Sequence, residues 1–319
     1  MAGSLPNDMI VEKYDAKSLI RQRKNSTDIA LNPYQGCYHD CAYCDGKAEN
    51  YNMHPDFGRR IRVKINAPDM LEDYLKKRGF VPVNRERTGT LLDFVPAAQK
   101  KKAVQGEKFQ ISISGGVCDI YQPADAELML SRKLLQVVLD FGFPVFLLTK
   151  SKLVLRDLDL LKRINDTVGA SVALTVTLMD DGKRKIFEPR ASSTEERFEA
   201  LKKLRKAGIR TGIWAMPLLP WIGDSEENVA GIFKKAKDID VQYMCCSGLT
   251  LKPGRQKEGF FEVIKKHYPE LVEKYAMLYA NNDKYGMPDF SMCARLGVKD
   301  VRIMARQLHK KYKIEESYS

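Results

Sequence analysis

Along the middle of the chain, short runs of apolar and β-branched residues alternate with segments whose apolar positions recur at helical spacing. The runs predict strands at 29–35, 109–114, 144–149, 171–178, 209–216 and 241–249. The helical spacing predicts helices near 67–78, 125–141, 153–165, 193–207 and 225–238. Run 171–178 is almost continuously apolar or β-branched, as suits a parallel strand covered on both faces. Helix 193–207 opens on Ser193, Thr194, Glu195 and Glu196, which puts negative charge at its positive end, and Gly208 stops it. Six β–α repeats with right-handed crossovers predict an α/β fold, a partial (β/α)6 TIM-like barrel over 29–250. Residues 1–28 read as an N-terminal extension. Residues 251–319 carry no further β–α unit and read as a helical C-terminal extension, with helices near 257–281 and 299–312.

One connection breaks the rhythm. Residues 79–108 are too long for an ordinary link between helix and strand. Residues 76–108 hold nine basic and three acidic side chains, an excess equal to half of the chain's net charge of +12. This segment reads either as a solvated face or as an insertion that meets an anionic partner, nucleic acid first. No run approaches the length of a membrane span, and the first residues lack the basic and apolar regions of a signal peptide, so a cytoplasmic location without membrane contact is the expectation.

Seven cysteines are too few for a disulfide scaffold, and their odd number pairs poorly. Three are clustered: Cys37, Cys41 and Cys44, spaced C-x3-C-x2-C in a loop after the first predicted strand. Such a loop can wrap three corners of a [4Fe–4S] cube and leave one iron open. An open iron can chelate the amino and carboxylate groups of S-adenosylmethionine (SAM), whose reductive cleavage yields a 5′-deoxyadenosyl radical. The cofactors supply that chemistry and the protein supplies position and shielding. A zinc site completed by His39 is the alternative, although structural zinc usually takes two separated ligand pairs.

The spacing, with the aromatic Tyr43 before the third cysteine, resembles the radical SAM superfamily. Asn32, Pro33 and Tyr34, then Gly36, His39 and Tyr43, resemble its spore photoproduct lyase-like (DNA-repair photolyase-like) family. Further matching segments follow in order: 63–67, Asp119 to Pro123, Thr149 to Ser151, Arg156 to Leu158, Phe187 to Arg190, Arg197, and Pro217 to Pro220. The resemblance implies a lyase-like radical enzyme acting in DNA repair, with an external electron donor of flavodoxin or ferredoxin type. It assigns Ser114, Gly115 and Gly116 to the motif that meets the SAM amino group, and Lys150 to the SAM carboxylate. Thr175 and Thr177, on one face of a strand, would offer hydroxyls, and Tyr43 would lie beside cluster and adenine. Glu188, Arg190 and Arg197 would bind SAM or substrate, or else form an ion-pair network. Trp214 and Trp221 read as cavity lining or as core, and Cys245, Cys246 and Cys293 as inert thiols.

The sequence departs from that family at two positions. Its hydrogen-donor cysteine falls on Gly116, and the tyrosine after its third cluster cysteine falls on Asp45. Cys118, two residues from the donor position, is the candidate substitute. The expectation is therefore radical modification of a nucleic acid by something other than that family's relay. A small-molecule or peptide substrate, or a non-catalytic cluster-binding protein, are the other readings.

Overall fold

The computed structural model describes residues 5–22, 28–83, 109–114, 117–281 and 283–316. The N-terminal segment supplies β1 (Ile10–Tyr14) and β2 (Ile20–Gln22), two strands the sequence pattern did not predict. After β3 (Ile29–Leu31), β4 (Tyr34–Gln35) and the cysteine loop comes β5 (Arg60–Lys64). A small sheet forms in the order β1-β5-β4, with β1 parallel and β4 antiparallel to β5.

The large sheet is the predicted barrel. Strands β3, β6 (Ile111–Ile113), β7 (Val145–Thr149), β8 (Ala170–Thr175), β9 (Arg210–Leu218) and β10 (Tyr243–Gly248) lie side by side in chain order, all parallel, and β2 adds antiparallel to β3. Helices α1 (Ala67–Lys77), α2 (Pro123–Leu128), α3 (Leu130–Phe141), α4 (Leu158–Asn165), α5 (Asp181–Phe187), α6 (Thr194–Lys206) and α7 (Glu226–Asp238) fall between the strands. The single helix expected over 125–141 is two. Met129 takes a left-handed backbone (φ 53°), and the buried Asp125 carboxylate accepts the Ser131 N–H at 2.9 Å, which caps the second helix instead of continuing the first. The stretch expected as a helix from 153 begins as a 3-10 turn, Lys152–Asp157. Helix α6 carries a full capping box between Ser193 and Glu196, worth about 1 kcal/mol.

Alternation along the strands sorts the interior. Ile111, Ile113, Val145, Leu147, Val172, Leu174 and Ile213 join the main core under the helices. Phe146, Ala173 and Tyr243 point the other way and, with Leu148 and Trp214, fill the middle of the lumen. Below this apolar layer, at the strand starts, lies a cavity of about 760 Å³. Above it, at the strand ends, lies the cysteine loop. The C-terminal extension comprises α8 (Arg255–His267), α9 (Val272–Leu278), α10 (Phe290–Arg295) and α11 (Val301–Tyr312). Its first part packs on the cysteine loop: Phe260, Tyr275 and Tyr279 share one apolar cluster with Cys41, Ala42 and Tyr43. Its last part returns to the sheet. Met244 donates to the Glu315 carbonyl at 2.9 Å, and Glu315 to that of Gln242 at 3.0 Å, covering the open edge of β10. Among the described residues no helix is long and apolar enough to cross a membrane. Most of the basic segment, from 84 to 108, lies outside the described residues.

Candidate active site

The cysteine loop is pinned at both ends and in its middle. Gly36 sits at φ 90° with room for no side chain, since a Cβ there would stand 2.2 Å from the Arg60 carbonyl oxygen. Cys37 donates to the Phe57 carbonyl at 3.0 Å and Ala42 to that of Phe187 at 2.8 Å. Successive turns run from the Cys37 carbonyl to Asp40 N (3.2 Å), from Cys41 to Cys44 N (3.2 Å) and from Cys44 to Lys47 N (3.1 Å). The three cysteines thereby line one cavity of about 90 Å³, together with His39, Tyr43, Ser114, Cys118, Lys150 and Thr175. Ser114 is held by Ser112, their hydroxyls 2.9 Å apart. Gly115 and Gly116 lie outside the described residues.

Asp119 organises the rim. Its carboxylate accepts from the Thr149 hydroxyl (2.7 Å), the Lys150 N–H (2.7 Å) and the Tyr121 N–H (2.9 Å), and faces His39 Nδ1 at 3.4 Å. Its own N–H points at Cys37 Sγ, 3.5 Å away. Burial opposes the charge, but His39 and these donors outweigh it and hold the carboxyl well below the usual range. Asn32 ties the first strand to the same turn, donating to the Cys118 carbonyl at 2.7 Å. Gln122 accepts the Tyr38 N–H at 3.0 Å and donates to the Gly36 carbonyl at 3.2 Å. The segments singled out in the sequence thus brace the loop from both sides.

Beside the loop lies a closed polar network. Glu188 accepts from Tyr43, from the Thr177 hydroxyl (3.1 Å) and from Arg197, and every one of these side chains is buried. Arg197 also donates to the Thr175 carbonyl at 2.9 Å and the Ser192 carbonyl at 2.9 Å. Burial alone would raise Glu188, yet Arg197 and Lys150 hold it at about 2. Lys150 stands 5.7 Å over the Tyr43 ring; burial disfavours its charge, but Cys41 and Glu188 outweigh that and raise its pKa. Thr175 reaches the cavity; Thr177 and Glu188 are spent inside the network. Arg190 does not join them. Its guanidinium donates to the Gly58 carbonyl (2.8 Å), pairs with Asp8 (3.2 Å) and lies 4.4 Å from the Tyr38 ring centre, strapping the N-terminal segment to the loop.

Arg156, also singled out, serves a buried network with Asp125, Ser131 and Asp157 behind the site. Trp214 belongs to the lumen layer, and Trp221 packs edge-on to Tyr275 while donating to the Leu296 carbonyl at 3.1 Å. Neither lines the cysteine cavity. Cys118 does line it, packed with Cys37 and Phe57.

The donor set suits an iron–sulfur cluster. Burial pushes the Cys41 thiol up to about 12 and raises Cys37 and Cys44 too. Three cysteines around one cavity are a set that could supply three ligands. Among the described residues no three His, Cys, Asp or Glu side chains are placed to hold a single metal ion, and His39 is turned to Asp119, so the zinc alternative gains no support.

The sequence profile of the radical SAM superfamily matches residues 31–231. The chain belongs to the radical SAM superfamily. Its cofactors are accordingly a [4Fe–4S] cluster and SAM. An uncharacterized protein of Methanocaldococcus jannaschii is 28% identical over 264 residues, which span 82% of this chain and 85% of the relative. An uncharacterized protein of Mycobacterium bovis is 25% identical over 253 residues, 78% of this chain and 66% of the relative. Among solved structures, a spore photoproduct lyase mutant with bound AdoMet and dinucleoside spore photoproduct superposes with a TM-score of 0.62, covering 95% of this chain and 79% of its own. Identity there is 16%, so the likeness is one of fold.

Sequence reasoning did not assign site roles to Asp119 or Gln122, although their segment was marked, and it offered His39 only as a zinc ligand, not as the partner of Asp119. It missed Lys252 and Gln256 altogether. Their partners lie more than 200 residues away along the chain, and no local pattern signals such contacts.

Proposed function

We propose that this protein is a radical SAM enzyme that modifies nucleic acid and returns hydrogen through Cys118. Cys37, Cys41 and Cys44 would hold the cluster, which with SAM supplies reductive cleavage of a carbon–sulfur bond. Lys150 would neutralise the SAM carboxylate by a charge-assisted hydrogen bond, with Ser114 and Thr175 presenting hydroxyls on either side. Tyr43, fixed through Glu188, would close the pocket over Cys41 and keep water out.

The observation that carries the reading is the presence of Cys118 on the same cavity wall as the three loop cysteines. In the resembling family the donor position corresponds to Gly116 here, and its tyrosine position to Asp45, so the usual relay is lacking at both points. Cys118 would give its thiol hydrogen to a substrate radical, and the thiyl radical left behind would return to the thiol by taking one electron from the external flavodoxin- or ferredoxin-type donor and one proton from solvent. The net charge of +12 and the fold likeness to a spore photoproduct lyase that holds a dinucleoside spore photoproduct support a nucleic-acid substrate.

The test is anaerobic turnover of reconstituted enzyme with SAM, reductant and oligonucleotides in deuterated buffer. Deuterium in the product or in 5′-deoxyadenosine, lost in Cys118→Ala while SAM cleavage persists, is expected. Efficient restoration of thymine from the spore photoproduct would overturn the departure from the family's relay. Oligonucleotide binding should weaken with salt, with a log–log slope that shrinks when Lys100, Lys101 and Lys102 are neutralised. A flat salt response would refute the nucleic-acid assignment.

A further inference from the structure

Asp45, which replaces the tyrosine of the resembling family, is not among the residues lining the cysteine cavity. It turns to the C-terminal extension. Its Oδ2 pairs with Lys252 Nζ at 2.7 Å, and its Oδ1 accepts from Gln256 Nε2 at 2.9 Å and from the Thr250 hydroxyl at 3.3 Å. Gln256 is fully buried. Its Nε2 also meets the Tyr43 carbonyl at 2.9 Å and the Thr250 carbonyl at 3.0 Å, while its Oε1 accepts the Lys252 N–H at 2.8 Å. This pattern of one acceptor facing an N–H and one donor facing carbonyl and carboxylate oxygens fixes the orientation of the amide.

One side chain therefore grips the residues on both sides of Cys44. A second tie lies close by, where Glu49 accepts from the Arg255 N–H at 3.0 Å and its guanidinium at 3.2 Å. The superfamily match ends at residue 231, so these grips come from outside it.

We propose that Asp45, Lys252 and Gln256 form a latch by which the C-terminal extension positions Cys44, and with it the cluster. They are positioning residues, acting through the Tyr43–Asp45 backbone. The assignment goes beyond the substrate reading and stands apart from it, because cluster properties can be read without substrate. Hydrogen bonding and placement around the sulfurs set a cluster's potential and its hold on iron. Freeing the backbone on both sides of one ligand changes each.

The test uses the full chain, reconstituted anaerobically, with no nucleic acid present. Variants Gln256→Leu and Lys252→Met are compared with parent, and with Lys265→Ala, whose exposed pair with Glu262 lies on the same helix. Three readouts are taken: the rate of iron loss to a chelator, the electron paramagnetic resonance spectrum of the reduced protein with and without SAM, and the thermal melt. The expected result is iron loss about tenfold faster in both latch variants, with an altered spectrum, and no change in Lys265→Ala. Asp45→Asn, which keeps the acceptor for Gln256 but loses the charge that meets Lys252, should fall between parent and Gln256→Leu. Parent-like iron loss and spectra in Lys252→Met, or an equal change in Lys265→Ala, would overturn the latch. If Gln256→Leu does not fold, Lys252→Met decides the matter alone.

Discussion

Asp119, in the loop after β6, and Lys150, just past the end of β7, are joined: the Asp119 Oδ2 accepts the Lys150 main-chain N–H at 2.7 Å. The same carboxylate holds Thr149 and faces His39 of the cysteine loop, so one buried group sets the spacing between loop and lysine. Asp119→Ala leaves several buried donors without an acceptor. It should lower the unfolding free energy by about 3 kcal/mol or more and reduce the iron bound per chain. Urea unfolding and iron analysis check this, and a variant with parent iron content would show that the loop holds its shape without Asp119.

Glu188 and Arg197 are both fully buried, so removing one charge strands the other. Glu188→Gln should cost about 3–5 kcal/mol in chemical unfolding. The pH dependence has a definite sign. Glu188 sits at about 2 in the folded chain, held there against burial by Arg197 and Lys150, and returns to about 4.3 when unfolded. Its contribution is complete above the unfolded value and is lost as pH falls through the folded one. Between roughly pH 4.3 and pH 2 the parent should therefore lose more stability than Glu188→Gln does. Parallel curves would contradict the assignment.

Gly36 adjoins the first loop cysteine with a backbone that other residues rarely adopt and a carbonyl where a side chain would stand. Gly36→Ala must displace either Cys37 or the start of β5. Low cluster occupancy after reconstitution is the expected outcome, together with a depressed melting temperature. Gly79→Ala offers the control: it has a similar backbone (φ 84°) but open space around it, and should share only the conformational part of the cost.

Lys150 reaches the cavity from the end of β7. On the assignment proposed above, replacing it with alanine would remove a charge-assisted hydrogen bond to the SAM carboxylate, worth about 1.5–3 kcal/mol, which corresponds to a tenfold or greater loss of affinity. Titrating SAM against the spectrum of the reduced cluster measures it. Unchanged affinity would remove Lys150 from the SAM site.

The barrel was legible because its strands obey local rules. Run 171–178 is almost continuously apolar or β-branched and holds most of β8, which ends at Thr175, and the start and stop of α6 are written in Ser193, Glu196 and Gly208. The cysteine spacing was legible for the same reason, since one loop carries all three cysteines. What stayed hidden depends on distant partners. The strands at 10–14 and 20–22 are short and mixed in polarity, and exist because β5 and β3 offer edges. The break at Met129 follows from a carboxylate that also meets Tyr34 and Arg156. Arg190 carried a family signature yet spends its charge on Asp8, 182 residues away.

The apolar layer across the lumen has a chemical consequence. Leu148 lines the cavity above, whereas Phe146, two residues earlier on the same face, lines the chamber below with Trp214. Two residues of strand amount to about 6–7 Å. Leu148 thus stands between the cysteine cavity and the rings of Phe146 and Trp214 that line the lower chamber. Tyr43 is an aromatic side chain that lines the cysteine cavity itself, so oxidising chemistry there would meet this phenol, tied to Glu188, before any ring of the lumen layer.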